Sequence, residues 1–595
     1  MIRWVVDFAL ENRFLVITAA VLLFVWGAVS FHQLPVEAYP DVANNYVEII
    51  TQWQGISAEQ IEQQVTIPLE ITMNGIPHVI HQRSFSVFGL SDLKLIFDDD
   101  EANAWNRERV LERLTQVTLP SGVTPQIGTD WSPVGQIYWF TLKSSNPNID
   151  VMELKSIQDW VVEKNLKSVP DVVDVSSFGG PTREYQVRLD PNKLVSYGLS
   201  IAQVEAQLAN NNANAGGGFL EAGLQQINIR AVGLVETVRD IADTVIFTKM
   251  GTPVRIKDIA VVSQGPKIRL GQTGKTIHRE DGKLLDDEDV VSGIVALRKG
   301  ADADITCRAI HAKVKEMNER ILPAGVQLVP FLDRSDLVEY TTHTVLHNLT
   351  EGITLVVIIL LLFLGNIRGA LIVALTIPFS LLFAANCLKL KGIPANLLSL
   401  GALDFGMVVD GSVVMVENIV RHLGHKDNSD KLPIDKIRDA AHEVQRPVFF
   451  AIGIIITAYL PIFTLQAVEG RLFKPMAWTV AFALLGALLF SMVIAPTLAV
   501  MFFPKGAKEW RNPVMEFLKT RYRGGVRWAI EHRLVTVGVA SFLFLIAMYL
   551  WFGGVIGSEF LPHLDEGALW IRGTLAPSVG PSEGIRVMNE SRVKV

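Results

Sequence analysis

The chain has 595 residues, 49% of them hydrophobic and only 19% charged, well below the roughly 25% charged residues of an average soluble domain. A mean hydropathy of +0.30 points to a membrane protein, so spans must be counted before domains. The net charge of -7 argues against a nucleic-acid partner, and a chain with only Cys307 and Cys387 has neither a disulfide framework nor a thiolate zinc cluster.

Residues 14–31 form the first apolar block, uncharged and interrupted only by the hydroxyls of Thr18 and Ser30. It is long enough to cross about 30 Å of hydrocarbon. Arg3 and Arg13 precede it in the manner of a signal peptide, but the block is too long for one and no A-x-A site follows. The expectation is an uncleaved anchor, with 1–33 as N-terminal helix and first span. From 34 to 336 hydropathy falls to that of a water-soluble protein and the pattern alternates between strand and helix periods. Within this domain 46–53, 79–87 and 91–97 read as strands, and 57–73 and 101–114 as helices, with Ser57 as an N-cap. A strand at 137–142 either closes this βαββα series or opens the next, which resumes with a helix at 151–167 and strands at 171–178 and 184–190. Two split βαβ units in series are the economical reading, and the fold class is an α+β membrane protein. The run 210–218 (NNNANAGGG) is too rich in Asn and Gly for a helix or buried strand and reads as a flexible linker.

The membrane signal returns at 343–364, 369–388, 393–420, 447–465 and 476–503, and again at 534–556. That gives seven spans: 337–503 carries the second to sixth, 504–533 connects, 534–556 is the seventh, and 557–595 opens a second outer segment. Under this count 17 Lys and Arg fall on one side, in the N-terminus and in 365–368, 421–446 and 504–533. Four fall on the other: Lys389, Lys391, Arg471 and Lys474. The positive-inside rule then places the N-terminus in the cytoplasm and 34–336 outside it.

The sequence also repeats itself. Glu11-Asn12-Arg13-Phe14 heads the first span and Glu531-His532-Arg533-Leu534 heads the seventh, 520 residues later. Each span exits through a segment carrying a Pro and an acidic residue, Ala38-Tyr39-Pro40-Asp41 and Phe560-Leu561-Pro562-His563-Leu564-Asp565. Ser582-Glu583 is then placed like Ser57-Ala58-Glu59. The expectation is one complete half of a tandem duplication plus the start of the next, about 1,040 residues if the offset is doubled; a natural seven-span protein is the alternative.

The chemistry lies in the fourth span, where Asp404, Asp410 and Glu417 interrupt an apolar helix. Each carboxylate costs on the order of 2.5–3.5 kcal/mol if it meets lipid, so the three should face a bundle interior or water, where burial raises their pKa toward neutrality and suits them to a proton relay. Asp410 and Glu417 are separated by about 700°, close to two full turns, and so share a helix face roughly 10 Å apart, whereas Asp404 points to another sector. For Glu417 a second reading stands beside the relay: it snorkels to the interface or pairs with Arg421 at i+4. No G-x-x-x-x-G-K-[ST] loop occurs, so nucleotide is not the direct energy source in this chain, and no cofactor is expected.

The span order, the long loop after the first span, the duplication and the fourth span together resemble the resistance-nodulation-division (RND) efflux pumps. Asp404-Phe405-Gly406, Asp410-Gly411-Ser412 and Glu417-Asn418 are similar to the fourth-span signature of the heavy-metal branch of that superfamily, D-F-G-x-x-x-D-G-A-x-x-x-x-E-N, with Ser412 in place of Ala. The pair Asp404 and Asp410 resembles the cobalt-zinc-cadmium type more than the copper and silver type. The resemblance implies an inner-membrane proton antiporter rather than an enzyme, acting as a homotrimer with a periplasmic adaptor and an outer-membrane channel and exporting divalent metal ions. It implies that the βαββαβ units are ferredoxin-like porter subdomains. It also turns the 210–222 loop from a linker into a docking hairpin that reaches a neighbouring protomer.

The carry-over has limits. Gln136 stands where divalent-metal members often have Glu, and a neutral amide is a weaker ligand. His78 and His81 fall on opposite faces of a strand-like stretch, which disfavours a metal site. The acidic runs 98–101 and 286–289 read as solvated turns or helix starts before cation sites. The metal ligands stay unassigned, and the competing functions are RND efflux of amphiphilic organic compounds and a non-transporting sensor or scaffold. Organic-compound pumps typically carry adjacent acidic residues in the fourth span, and a scaffold has no use for three intramembrane carboxylates.

Overall fold

The computed structural model describes residues 2–37, 40–99, 101–249, 251–269, 271–278, 284–396, 405–424, 432–504, 506, 513–557, 571, 573–576 and 578–594. The chain divides into two compact units. One comprises Met1–Ile137, Leu297–Arg308 and Asp333–Ile571, the other Tyr138–Ala296, Ala309–Leu332 and Arg572–Val595.

In the first unit, α1 (Ile2–Glu11) and α2 (Arg13–Gln33) meet at Asn12, whose non-helical backbone breaks the helix while its side-chain amide donates to the Phe8 carbonyl at 3.2 Å. A four-stranded sheet follows, built from β1 (Asn45–Gln52), β2 (Val79–Val87), β3 (Leu90–Phe97) and β4 (Pro125–Ile127) in the order β2-β3-β1-β4, every pair antiparallel. Two helical segments cover it, Ala58–Ile61 continuing through a π turn into Ile67–Met73, and Asn103–Leu114. The alternation along β1 and β3 puts Val47, Ile49, Leu93, Leu95 and Phe97 inside, against Val65, Leu69, Met73 and Val110. Ser57 caps the first helix through the Gln60 amide as expected. The second helix starts at Asn103 rather than 101, because the Glu101 carbonyl is taken by the Asn45 side chain. The strand that closes this series is β4, which sequence periodicity missed.

The strand expected at 137–142 is β5 (Gln136–Ser144), and it does not close the first sheet. It joins β6 (Val172–Phe178), β7 (Val291–Leu297) and β8 (Val326–Asp333) in the order β8-β5-β7-β6, the same order as the first sheet taken strand by strand. The helices expected at 151–167 are present as Val151–Ile157 and Glu163–Lys167 around a π turn. The strand expected at 184–190 leaves the series: Arg183–Leu189 pairs antiparallel with Ala260–Pro266 in an insertion between β6 and β7. The linker reading of the Asn/Gly run also fails, since Ala215–Ala222 and Gln225–Ala231 form an antiparallel hairpin with every residue of both strands exposed. Glycines that forbid a helix do not forbid a ladder whose side chains need no core.

The helical part of the first unit comprises α3 (Arg334–Leu364), α4 (Ile367–Ala374), α5 (Thr376–Lys391), α6 (Phe405–Gly424), α7 (Pro433–Tyr459), α8 (Ala467–Leu489), α9 (Ala495–Phe502), α10 (Pro513–Glu531) and α11 (Arg533–Phe552). Among the described residues five helical stretches are long and apolar enough to cross a membrane: Arg13–Gln33, Ile367–Lys391, Pro433–Thr464, Ala467–Phe502 and Arg533–Phe552. Small residues set the packing distances. A Cβ added at Gly27 of α2 would lie 2.6 Å from the Leu382 Cβ on α5, and the Asn386 amide of α5 donates to the Leu23 carbonyl of α2 at 3.2 Å. A Cβ at Gly486 on α8 would lie 3.0 Å from the Phe383 Cβ of α5. The second exit segment, 560–565, and Lys426 and Lys431 of the connecting loop lie outside the described residues.

Candidate functional site

Helix α6 has two faces. Val408, Val409, Gly411, Ser412, Met415, Val416, Asn418, Ile419 and Leu423 are buried and fall within one half of the helical wheel. Gly411 lets α6 approach α7 and the π turn that precedes α9: a Cβ there would meet Val448, Ile452 and Ser491 at 3.1–3.4 Å. The opposite sector presents Gly406, Asp410, Val414 and Glu417, all exposed. Asp410 and Glu417 therefore do share a face. Among the described residues both carboxylates are exposed, and the buried half of α6 is taken mostly by small and apolar side chains. Asp404 lies outside the described residues.

The pair of Glu417 with Arg421 does not form. Arg421 instead donates to the Asn418 side-chain carbonyl at 2.6 Å and lies 3.5 Å from Glu443 of α7. Asn418 donates to the Ala440 carbonyl at 2.9 Å and to Glu443 at 3.0 Å, and His422 meets the same carboxylate at 2.8 Å. This knot of Asn418, Arg421, His422 and Glu443 locks α6 to α7 and holds the rotation of α6 that sets the direction of its carboxylates. Sequence reasoning missed it, although Asn418 had been noted in the motif; Glu443 is far along the chain and gave no local signal. On the same helix α7, Arg438 and His442 reach Asp7 of α1 at 3.4 and 3.0 Å, tying the N-terminal helix to the bundle.

A second polar cluster surrounds the segment after α2. Val36–Glu37 pairs in parallel with Ala395–Asn396. Glu37 and Asp41 line a cavity of about 50 Å³ together with Ser132, Arg298, Lys299 and Arg334. Burial, then the charges of Asp41 and Asp302, push the Glu37 carboxyl up to about 7 against the opposing pull of Arg334. Lys299 points its ammonium at the carbonyls of Asn44 (3.2 Å) and Ala43 (3.5 Å). Gln136, the position singled out for its missing charge, begins β5 immediately after Gly135, which also lines the cavity.

The other nominated residues are engaged structurally. His78 holds Asp98 at 2.8 Å and lies 3.7 Å from Glu101, while His81 sits three residues on in β2 across a bulge. Arg471 clamps Asp99 with two bonds of 2.7 and 3.1 Å and also reaches the Val42 carbonyl and Asn44. Asp286 is held by Arg592 and Thr276. Among the described residues no group of three or more His, Cys, Asp or Glu is disposed to hold a metal ion.

The described helices include five apolar enough to cross a membrane, the two sheets share one strand order, and the profile of the AcrB/AcrD/AcrF family matches residues 5–593. The chain belongs to that family. It is 36% identical over 612 residues to Protein HelA of Legionella pneumophila, covering 100% of this chain and 57% of that protein. It is 36% identical over 602 residues to the cobalt-zinc-cadmium resistance protein CzcA of Cupriavidus metallidurans, covering 99% and 55%. Against the cation efflux system protein CusA of Escherichia coli K12 the identity is 34% over 604 residues, covering 99% and 56%. A solved heavy metal efflux pump superposes with a TM-score of 0.85 at 37% identity, over 99% of this chain and 56% of that one. The chain thus spans about half the length of the relatives it matches.

Proposed function

We propose that this chain is the first half, with the opening of the second, of an inner-membrane proton/cation antiporter that exports divalent heavy-metal ions. The observation that carries the reading is the face of α6: two carboxylates, Asp410 and Glu417, in one exposed sector of an apolar helix, in a chain whose relatives are named for cation efflux and metal resistance. With α3 and α6 added to the five apolar stretches, the chain has seven spans, and 34–336 is a periplasmic domain built on two ferredoxin-like units. The exposed hairpin Ala215–Ala222 and Gln225–Ala231 docks into a neighbouring protomer of a homotrimer, which joins a periplasmic adaptor and an outer-membrane channel.

In this reading Asp410, with Asp404 and Glu417, carries the proton. A carboxylate in a low-dielectric span is neutral when protonated and costly when charged, so its titration changes what α6 tolerates beside it. Movement of α6 is passed to α7 through the Asn418–Glu443 bond. Asp410→Asn keeps shape and hydrogen bonding and removes the titrating proton. In the complete pump, reconstituted in vesicles, it should abolish metal flux driven by an imposed pH gradient at matched protein levels. Asp404→Asn and Glu417→Gln should weaken that flux. Parental flux in Asp410→Asn would make the carboxylate structural, and pH-driven flux of an amphiphilic dye but not of metal would favour the organic-compound reading.

A further inference from the structure

The helix that leads from β8 into the second apolar block carries a ligand pattern the transport scheme does not use. Glu339, His343, His347 and Glu351 recur every four residues along α3, the spacing that brings Cβ atoms to about 6 Å on one helix face. The His343 and His347 rings lie side by side, centroids 6.3 Å apart and planes inclined by 13°. The ring of His347 is engaged by the Glu351 carboxylate at 3.1 Å, and both imidazoles are exposed. The apolar stretch of the helix, Thr350–Phe363, begins immediately beyond them.

We propose that His343 and His347 form a two-imidazole capture site for borderline divalent cations, of the Zn²⁺, Ni²⁺ and Cu²⁺ class, at the outer end of this span. Metal–nitrogen bonds of about 2.0–2.1 Å place two ligating nitrogens a little over 3 Å apart. Rings already parallel and adjacent reach that bite by small side-chain rotations, which exposed side chains make without disturbing any packing. Glu351 does not ligate. Its carboxylate holds the second ring nitrogen of His347, which fixes the orientation of the ring as a donor. Imidazole donors select this class over Mg²⁺ and Ca²⁺, which require oxygen ligands. Two protein ligands with water completing the shell make an open site suited to capture and release, in keeping with the absence of any three-residue metal cluster among the described residues. Binding follows from the pair itself. Only its use as a loading point for export rests on the proposed function.

The test uses the detergent-purified protein with Cu²⁺ chloride as the probe, read by electron paramagnetic resonance. The parent should show a bound Cu²⁺ with coupling to two imidazole nitrogens, displaced by added Zn²⁺. His343→Gln and His347→Gln should each remove the two-nitrogen signal, and Glu351→Gln should weaken binding about tenfold. A composition-preserving swap, His343→Val with Val345→His, leaves both histidines on α3 but two residues apart and on different faces; it should also lose the signal while eluting as a folded protein. A parent without the two-nitrogen spectrum, or a swap variant that retains it, overturns the proposal. Asp410→Asn should bind Cu²⁺ like the parent, so two-nitrogen binding without pH-driven flux would sink the transport reading alone, and flux without such binding would sink this one alone.

Discussion

Glu37 offers a stability measurement whose sign and size both follow from its surroundings. Its carboxyl is raised from 4.5 to about 7, first by burial and then by Asp41 and Asp302. A raised carboxylate binds its proton more tightly in the folded than in the unfolded state. The folded protein is therefore favoured below pH 4.5, and that advantage is lost as pH rises through about 7. At about 1.4 kcal/mol for each tenfold change in proton affinity, the loss between pH 4.5 and 8 is at most about 3 kcal/mol. At about 2.1 cal/mol/K of unfolding entropy per residue, for a unit as large as this one that corresponds to an apparent melting temperature lower by roughly 4 °C. Glu37→Gln substitutes a neutral side chain of the same shape, so parent and variant should melt together below about pH 4.5, diverge between pH 4.5 and about 7 and keep a constant difference above that, with the variant the more stable at pH 8. Differential scanning fluorimetry of both proteins in one detergent across this range measures the divergence directly, since background titrations cancel. Parallel curves would refute the argument, and a variant less stable at pH 8 would mean that the ionised carboxylate is held by Arg334.

The remaining predictions probe packing and specificity. Gly27→Ala places a methyl 2.6 Å from the Leu382 Cβ and 2.8 Å from its carbonyl oxygen, so it should cost about 1–3 kcal/mol and lower the apparent melting temperature; an unchanged transition would mean that α2 and α5 separate freely. Gln136→Glu brings a carboxylate beside a cavity that already holds Glu37 and Asp41, and in the full-length protein it should tighten Zn²⁺ binding by calorimetry. Unchanged affinity would remove Gln136 from the substrate path.

Much of the fold was legible because period and burial coincide in it. In β1 and β3 the alternating side chains Val47, Ile49, Leu93, Leu95 and Phe97 meet one core, and the edges of β2 at 79 and 87 coincide with the expected ones. β4 was invisible because three residues are too few to show a period, and the destination of the strand at 183–189 was invisible because pairing across a long insertion is a tertiary choice. For 210–218 composition alone gave a linker and only the family resemblance turned 210–222 into a hairpin, because a Gly-rich ladder exposed on both strands has no buried face to mark it. At the site, one face shared by Asp410 and Glu417 followed from helix geometry alone, and their exposure did not. Which face of a helix is covered depends on partners, and here Asn418 and Gly411 decide it through contacts with residues some 25 to 80 positions away in sequence.

The arrangement of α6 also constrains what must lie against it. Two carboxylates facing lipid would cost together on the order of 5–7 kcal/mol, comparable with the whole folding stability of many proteins. Among the described residues the sector holding Asp410 and Glu417 is exposed, while the buried residues of α6 lie in the opposite half of the helical wheel. Rotating α6 to bury the pair would break the Asn418 bonds to Ala440 and Glu443 and drive Gly411 out of its close contact with Val448 and Ile452. The carboxylate face is thus fixed by the apolar face. Within the proposed function, a basic side chain from the remainder of the pump would let Asp410 exchange its proton without becoming a permanently charged defect in the membrane.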